Sequence, residues 1–336
     1  MNNLKKVGLS ALAGSLVAFS ANAVEVSVSG KTEITYSGTK DATNGNKFGN
    51  GNALTFSGSG DMNGYTATYT AVIGDSGQAS SITSETFASS SLMIDMGDMG
   101  TVGFDQGVGE FGVSTIDDKM PYAYEEIWTY TGASNGLRAA GGTNVLGYKN
   151  TFAGYTLSLE LDPGHTDKLA SGSTGDGGST GAGTTNSGYN FAITGSPADG
   201  FNVGVGMGDE EIKNGLASNE DITYTTGFFT YAFNNVTVGY QMSEGEGGSV
   251  GSTANNVDIY GVSFAVNDNL SLSYNMMDNE FDKASATDVE EETKGIGASY
   301  TMGSASVRLL NAKTDNVGGT SGSSKEHTEI SLMLAF

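Results

Sequence analysis

The sequence has 336 residues, of which 51 are glycine and 3 are proline, and it carries a formal net charge of −23. It contains no cysteine, which excludes disulfide bonds and thiol chemistry. The strongly acidic balance argues against nucleic-acid binding, which requires a basic surface. The 15 tyrosines and 15 phenylalanines argue against a disordered chain.

The first 23 residues have the features of an export signal. A short cationic region with Lys5 and Lys6 precedes an apolar run, and Ala21-Asn22-Ala23 follows as a small-residue cleavage site. The apolar run is shorter than the roughly 20 residues that a membrane-spanning helix needs. We therefore expect a cleaved secretory signal peptide at 1–23 and one domain at 24–336.

The rest of the chain alternates apolar and polar residues, as in "GYTLSLELD" at 154–162, which is typical of strands with one apolar face. Short turns such as "GDMG" at 97–100 alternate with long polar, glycine-rich or acidic connections. In two of the segments, 221–233 and 255–266, the alternation slips by one residue, which predicts β-bulges. The pattern predicts sixteen strands, at about 24–37, 52–61, 64–73, 86–96, 98–105, 143–150, 153–162, 188–196, 199–208, 221–233, 234–243, 255–266, 267–277, 292–302, 303–313 and 325–336.

Alternation fits a transmembrane barrel, with lipid outside and water inside, and it also fits a soluble β-sandwich or solenoid. Three observations favour the barrel. The polar face is rich in Gly, Ser, Thr and Asn, aromatic residues recur near strand ends, and an even number of strands puts both chain ends on the short-turn side. The predicted fold is an all-β antiparallel transmembrane β-barrel of about 16 strands with short periplasmic turns and long extracellular loops.

The last strand, "EISLMLAF", ends on the aromatic Phe336. With the signal peptide, the sixteen hairpin-connected strands and one oversized third loop at 106–142, this ending resembles the Gram-negative general porins, particularly the alphaproteobacterial branch. The resemblance implies a homotrimer of water-filled pores in the outer membrane, surrounded by lipid and lipopolysaccharide. It also implies that the terminal strand with Phe336 is recognised by the barrel-assembly machinery.

In that family the third loop folds into the barrel and narrows it, with its carboxylates facing a basic cluster on the wall. The acids available in 106–142 are Glu110, Asp117, Asp118, Glu125 and Glu126. Inward parity selects Lys31 and Arg308 as wall bases, with Lys149 and Lys325 as further candidates.

Two groups of acids on predicted long loops are candidate calcium ligands, because Ca²⁺ prefers several carboxylate oxygens. They are Asp209, Glu210 and Glu211, and Glu290, Glu291 and Glu292. No other cofactor is expected. "GVGEFG" at 107–112 matches a dinucleotide-binding fingerprint, but no helical pattern follows it, as that site requires.

The resulting hypothesis is a passive channel for ions and small hydrophilic solutes, which favours cations and catalyses no reaction. The alternative is an outer-membrane barrel with a plugged lumen that acts as a surface adhesin or structural protein.

Overall fold

Alternating apolar and polar residues produce sixteen strands, as the sequence predicts, and the strands close into one barrel in this computed structural model. The structure describes residues 25–39, 47–75, 89–117, 119–128, 143–163, 187–211, 219–249, 254–282 and 289–336. The predicted signal peptide at 1–23 lies outside these residues. None of the helices in the described part of the chain is long and apolar enough to span a membrane.

The strands agree with the predicted ones to within a few residues at nearly every end. They are β1 (Glu25–Thr39), β2 (Phe48–Met62), β3 (Tyr65–Asp75), β4 (Ser89–Asp95), β5 (Thr101–Gln106), β6 (Thr143–Phe152), β7 (Tyr155–Asp162), β8 (Ser187–Ala198), β9 (Phe201–Glu211), β10 (Asn219–Phe233), β11 (Val236–Ser249), β12 (Ala254–Ala265), β13 (Leu270–Asp282), β14 (Glu291–Met302), β15 (Ala305–Asp315) and β16 (Ser324–Ala335).

Every strand pairs antiparallel with its neighbours in sequence, and β1 pairs with β16 to close the barrel. Tight turns join alternate strands, as in the β2–β3 hairpin, where Asn63 and Gly64 have φ angles of 55° and 89°. Two-residue hairpin turns of this kind favour Asn-Gly, because both positions need a positive φ. The predicted pattern of short turns at one end of the barrel and long connections at the other is confirmed.

The closing seam ends at Phe336. The Gly30 amide donates to the Phe336 carbonyl at 2.7 Å, and the Phe336 amide donates to the Gly30 carbonyl at 2.9 Å. The Phe336 ring lies over Gly30, where an added Cβ atom would fall 2.6 Å from its Cε2 atom. A glycine at position 30 therefore leaves room for the terminal ring on the outer face.

The two faces of the sheet differ in the way that a membrane barrel requires. Large apolar side chains such as Val28, Leu159 and Leu332 are exposed on the outer face. The intervening positions, such as Ser158 and Ser331, face inward and are buried. Apolar side chains outside and polar side chains inside are typical of outer-membrane barrels.

The prediction of a bulge in 255–266 is wrong, because β12 pairs in unbroken register with both β11 and β13. Val257 and Ile259 are buried on its inner face, whereas Tyr260 and Phe264 are exposed on its outer face. The strand therefore carries apolar residues on both faces. In the sequence, this pattern resembles a one-residue slip in the alternation of apolar and polar residues. In β10 a register shift does occur, between Glu220 and Thr223.

A hydrophobic cluster of buried residues lies inside the barrel, between the wall and the segment that follows β5. The segment contributes Val113, Ile116, Met120, Tyr124, Ile127 and Trp128, and the wall contributes Ala192, Tyr224, Phe228, Val257, Ile259, Met277, Leu310 and Ala312. This cluster explains the buried apolar residues on the inner faces of β10 and β12.

Candidate functional site

Residues 107–128, described except for Asp118, follow β5 and lie against the inner face of the barrel; we call them the inserted loop. Near its start, a single 3₁₀ turn at Gly112–Ile116 packs against the wall. The Gly112 amide donates to Ser158 Oγ on β7 at 2.8 Å, and the Val113 amide donates to Asn190 Oδ1 on β8 at 2.8 Å. The fingerprint at 107–112 thus leads into a 3₁₀ turn inside an antiparallel barrel, rather than into the helix of a βαβ unit that a dinucleotide fingerprint requires.

The second half of the inserted loop crosses to β13. The Ala123 amide donates to Ser273 Oγ at 2.9 Å, and the Asn275 side-chain amide donates to the Pro121 carbonyl at 3.0 Å. Small polar side chains of three strands thus satisfy backbone groups of the loop. Because buried backbone groups are costly to leave unpaired, these bonds fix the path of the loop.

Glycines on the inner face make room for the apolar side chains of the inserted loop. A Cβ atom added to Gly206 would fall 2.7 Å from Val113 Cγ1 and 2.8 Å from Ile116 Cδ1. The same close approach occurs between five further wall glycines and the loop: Gly103 and Gly147 with Phe111, Gly239 and Gly261 with Pro121, and Gly295 with Ile127. We call these six the glycine track.

The first charged contact joins a predicted loop acid to a predicted wall base. Lys149 Nζ on β6 lies 2.8 Å from Glu110 Oε2, and each side chain is about one third exposed. Asp105 holds the start of the loop by accepting from the amides of Val108 at 2.7 Å and Glu110 at 2.6 Å. An ion pair this exposed contributes at most about 1 kcal/mol, so it orients the two charges more than it stabilises the fold.

The second charged contact is a buried cluster at the closing seam. The Arg308 guanidinium on β15 pairs with Glu33 on β1 and lies 4.4 Å from the centroid of the Tyr124 ring. The Tyr124 hydroxyl donates to Glu33 Oε1 at 3.0 Å and also contacts Glu329 on β16. His327 Nε2 lies 3.6 Å from the other Glu329 oxygen. Through Tyr124, the loop therefore reaches three strands.

The environment of Tyr124 also fixes its protonation state. Burial, and after it the hydrogen bond to Glu329, raises the pKa of the Tyr124 phenol above its ordinary value near 10. The phenol therefore remains a neutral donor in the physiological range. A neutral donor suits this position, because its one hydroxyl proton is shared by two carboxylates and adds no charge.

The remaining predicted residues of the lumen lie on the inserted loop and on the inner faces of β1 and β16. Asp117, Glu125 and Glu126 lie half-buried on the inserted loop, and Asp118 lies outside the described residues. Lys31 lies on the inner face of β1 opposite Ala335, and Lys325 lies on the inner face of β16 opposite Thr314. Of the four predicted bases, Lys149 and Arg308 form ion pairs with acids that face the lumen.

The predicted calcium ligands lie on separate strands. Asp209 and Glu210 lie near the end of β9, whose last residue is Glu211; the side chain of Glu211 lies outside the described part of the structure. Glu290 lies just before β14, and Glu291 and Glu292 begin it. Glu291 is fully buried, and its Oε2 atom accepts from the Gly318 amide at 2.6 Å. Among the described residues, no group of three or more His, Asp or Glu side chains is arranged to hold a metal ion.

Sequence reasoning missed Glu33, Tyr124 and Glu329 as parts of this site. Inward parity was a usable signal for the two glutamates, since each alternates with outward apolar residues of its strand. Their proximity to Tyr124 had no local signal, because Tyr124 is separated from them by 91 and 205 residues in the chain.

The model of the Gram-negative porin family matches residues 8–322 of the chain. No curated protein matches the sequence. Among solved structures, the trimer form of OmpT, an outer membrane protein of Vibrio cholerae, is 12% identical with a TM-score of 0.70, covering 94% of this chain and 100% of that one. An anion-selective porin from Comamonas acidovorans is 16% identical with a TM-score of 0.67 and the same coverages. At these identities the likeness concerns the fold.

Proposed function

This chain belongs to the Gram-negative porin family, and from that premise we propose that it forms a passive channel for ions and small hydrophilic solutes in the outer membrane. The observation that carries the proposal is the inserted loop, which brings charged and polar groups into a barrel whose outside is apolar. In this proposal residues 106–142 constrict the pore, the signal peptide at 1–23 is cleaved, and the chain catalyses no reaction.

The direct test is the conductance of the purified, folded protein in a planar lipid bilayer. Stepwise current increases on insertion are expected, because a water-filled lumen carries ions along the voltage gradient. A barrel that inserts into the bilayer without conducting would overturn the channel proposal. It would favour a structural barrel or adhesin whose lumen is plugged by the inserted loop and its apolar cluster.

We further propose that the channel favours cations. Two lumen bases, Lys149 and Arg308, are paired with Glu110 and Glu33, whereas the whole chain carries a net charge of −23. A mouth of one charge sign concentrates counter-ions and repels co-ions. The anion-selective Comamonas porin shares the fold at 16% identity. In this proposal the side chains of the lumen, and not the fold, therefore set the sign of selectivity.

The selectivity is measured as the reversal potential across a potassium chloride gradient, with and without a chelator. A potential of the sign that marks cation preference is expected at low salt. It is expected to weaken near 1 M salt, where the Debye length falls to about 3 Å. Anion preference at low salt in chelator-treated protein would contradict the proposal and assign control to wall bases such as Lys31.

The assembly state is part of the same proposal. We expect a homotrimer. The trimer form of Vibrio cholerae OmpT, which has a similar fold, supports this expectation. Chemical cross-linking of the protein in detergent and native mass measurement test it. Contacts with lipopolysaccharide and the barrel-assembly machinery follow from outer-membrane location. Calcium binding by the acids of β9 and β14 stays a prediction.

A further inference from the structure

A polar cavity of about 380 Å³ lies inside the barrel, between the inserted loop and the wall formed by β7 to β10. Lys119 lines it from the loop, and Thr156, Thr194, Asn202 and Thr230 line it from four successive strands. Gly154, in the tight turn between β6 and β7, also lines it, so the cavity lies on the short-turn side of the loop. A solute that passes the loop meets this cavity.

The charge of the cavity differs from the charge of the chain. Lys119 is the one charged residue among the described residues that line it, although the chain carries 38 acids. In the described part of the chain, the Lys119 ammonium forms no ion pair, whereas Lys149 and Arg308 each have a carboxylate partner. An ammonium with free donors, facing a water-filled cavity, is suited to bind an anion.

The neutral side chains of the cavity form a hydrogen-bonding surface. Asn202 accepts from Ser196 Oγ at 2.5 Å and donates to Thr230 Oγ1 at 3.3 Å, which places hydroxyl and amide groups of three strands side by side. Hydroxyl groups donate and accept, so they match the hydroxyls of a polyol in either direction. Phe228 adds an apolar ring to the same lining.

We propose that this cavity is a binding subsite for small hydroxylated carboxylates, such as sugar acids, with the carboxylate on Lys119 and the hydroxyls on the threonine and asparagine side chains. This inference rests on the proposed channel function. A weak binding subsite would hold such anions for a short time as they pass through an otherwise acidic pore.

The test uses the full folded protein in a planar bilayer, with D-gluconate as the probe. Gluconate is expected to interrupt the potassium current in a saturable way, and to bind more tightly than D-glucose, which lacks the charge, or acetate, which lacks the hydroxyls. Lys119→Gln is expected to weaken gluconate binding by about tenfold or more, as loss of a charge-assisted contact implies. Glucose binding should stay the same.

Two further variants make the assignment specific. Lys119→Arg keeps the charge and should retain most of the gluconate binding. Lys47→Gln removes the same charge from an exposed lysine just before β2 and should leave gluconate binding unchanged. Heat-modifiable electrophoretic mobility shows that each variant forms a barrel before it is assayed.

Calorimetric titration of the detergent-solubilised protein with gluconate separates this proposal from the channel itself. Binding that depends on Lys119 in a protein without conductance would support the subsite and overturn the channel. A conducting protein that binds gluconate no more tightly than glucose and acetate would overturn the subsite alone. Equal gluconate binding by the original protein and Lys119→Gln would also overturn it.

Discussion

Tyr124 shows how a single side chain can tie the inserted loop to the barrel wall. Its hydroxyl donates to Glu33 on β1 and Glu329 on β16, and Arg308 on β15 lies against its ring. Glu329 is only 3% exposed, so its carboxylate depends on nearby donors for solvation. The residue therefore contributes to stability through the satisfaction of buried charge as well as through packing.

Tyr124→Phe keeps the ring and removes the hydroxyl. We expect the free energy of unfolding to fall by about 1–3 kcal/mol, because the buried Glu329 carboxylate and the partly buried Glu33 carboxylate lose a shared donor. Urea unfolding of the protein in lipid vesicles measures the change. Tyr69→Phe is the control, because Tyr69 is half-exposed on the outer face. An equal loss in both variants would contradict the assigned role.

The same residue predicts a dependence on pH. The pKa of Tyr124 is raised in the folded protein, so the stabilisation by its neutral form is complete below the unfolded value of about 10 and is lost as pH rises through the folded value. The difference in unfolding free energy between the original protein and Tyr124→Phe should therefore be constant from pH 7 to 9 and shrink above about pH 10. A difference that grows with pH would show that the phenolate is the stabilising form.

At the scale of elements, the inserted loop and the glycine track form one packing unit. Val113 and Ile116 of the loop pack against Gly206, and Ile127 packs against Gly295. A Cβ atom at either glycine would occupy the space of these side chains. Burial of each such aliphatic side chain contributes about 1.5–3 kcal/mol, which exceeds the contribution of the exposed Lys149–Glu110 pair. Apolar packing on the glycine track, rather than the ion pair, therefore holds the loop in the lumen.

Gly206→Val should displace the loop, because the new side chain needs the volume that Val113 and Ile116 occupy. Trp128 is the chain's one tryptophan and is only 8% exposed. We expect its fluorescence emission to shift to the red as it becomes more exposed, and we expect the single-channel conductance to change. Gly51→Val is the matched control, since an added Cβ atom at Gly51 meets no atom within 4 Å. Unchanged emission and conductance in Gly206→Val would show that the loop is held by other contacts.

At the scale of the whole molecule, closure of the barrel depends on the pairing of β1 with β16. The register runs from Lys31 opposite Ala335 to Thr39 opposite His327, and the Phe336–Gly30 backbone bonds complete it at the short-turn end. Closure removes both free edges of the sheet, which a membrane would otherwise leave without hydrogen-bond partners. The last residue of the chain is thus part of the seam.

Deletion of Phe336 removes two backbone hydrogen bonds and the ring over Gly30. We expect less folded barrel in the outer membrane with export unaffected, measured as the heat-modifiable fraction of the protein in membrane extracts. Phe233→Ala is the control, because Phe233 is 61% exposed on the outer face and lies away from the seam. Normal levels of folded barrel after the deletion would contradict a role for Phe336 in assembly.

The sequence by itself determined the strands, their two faces and the turns between them. Alternation is a property of neighbouring residues, so sixteen strands and the outward direction of Leu159 and Leu332 could be read without knowing the partners. The terminal strand and Phe336 were equally readable, because an apolar alternating end needs a lipid or protein surface. Inward parity likewise selected Arg308, with Lys149 as a further candidate, for the inner wall.

Only the tertiary structure decided which inner-face residues meet. Glu33 and Glu329 gather around Tyr124 through strand closure and loop insertion, contacts between residues far apart in the chain that no local pattern encodes. The same long-range packing gave β12 an apolar inner face and produced the false prediction of a bulge. Period-two order depends on neighbouring residues, whereas register and loop docking depend on packing across the whole barrel.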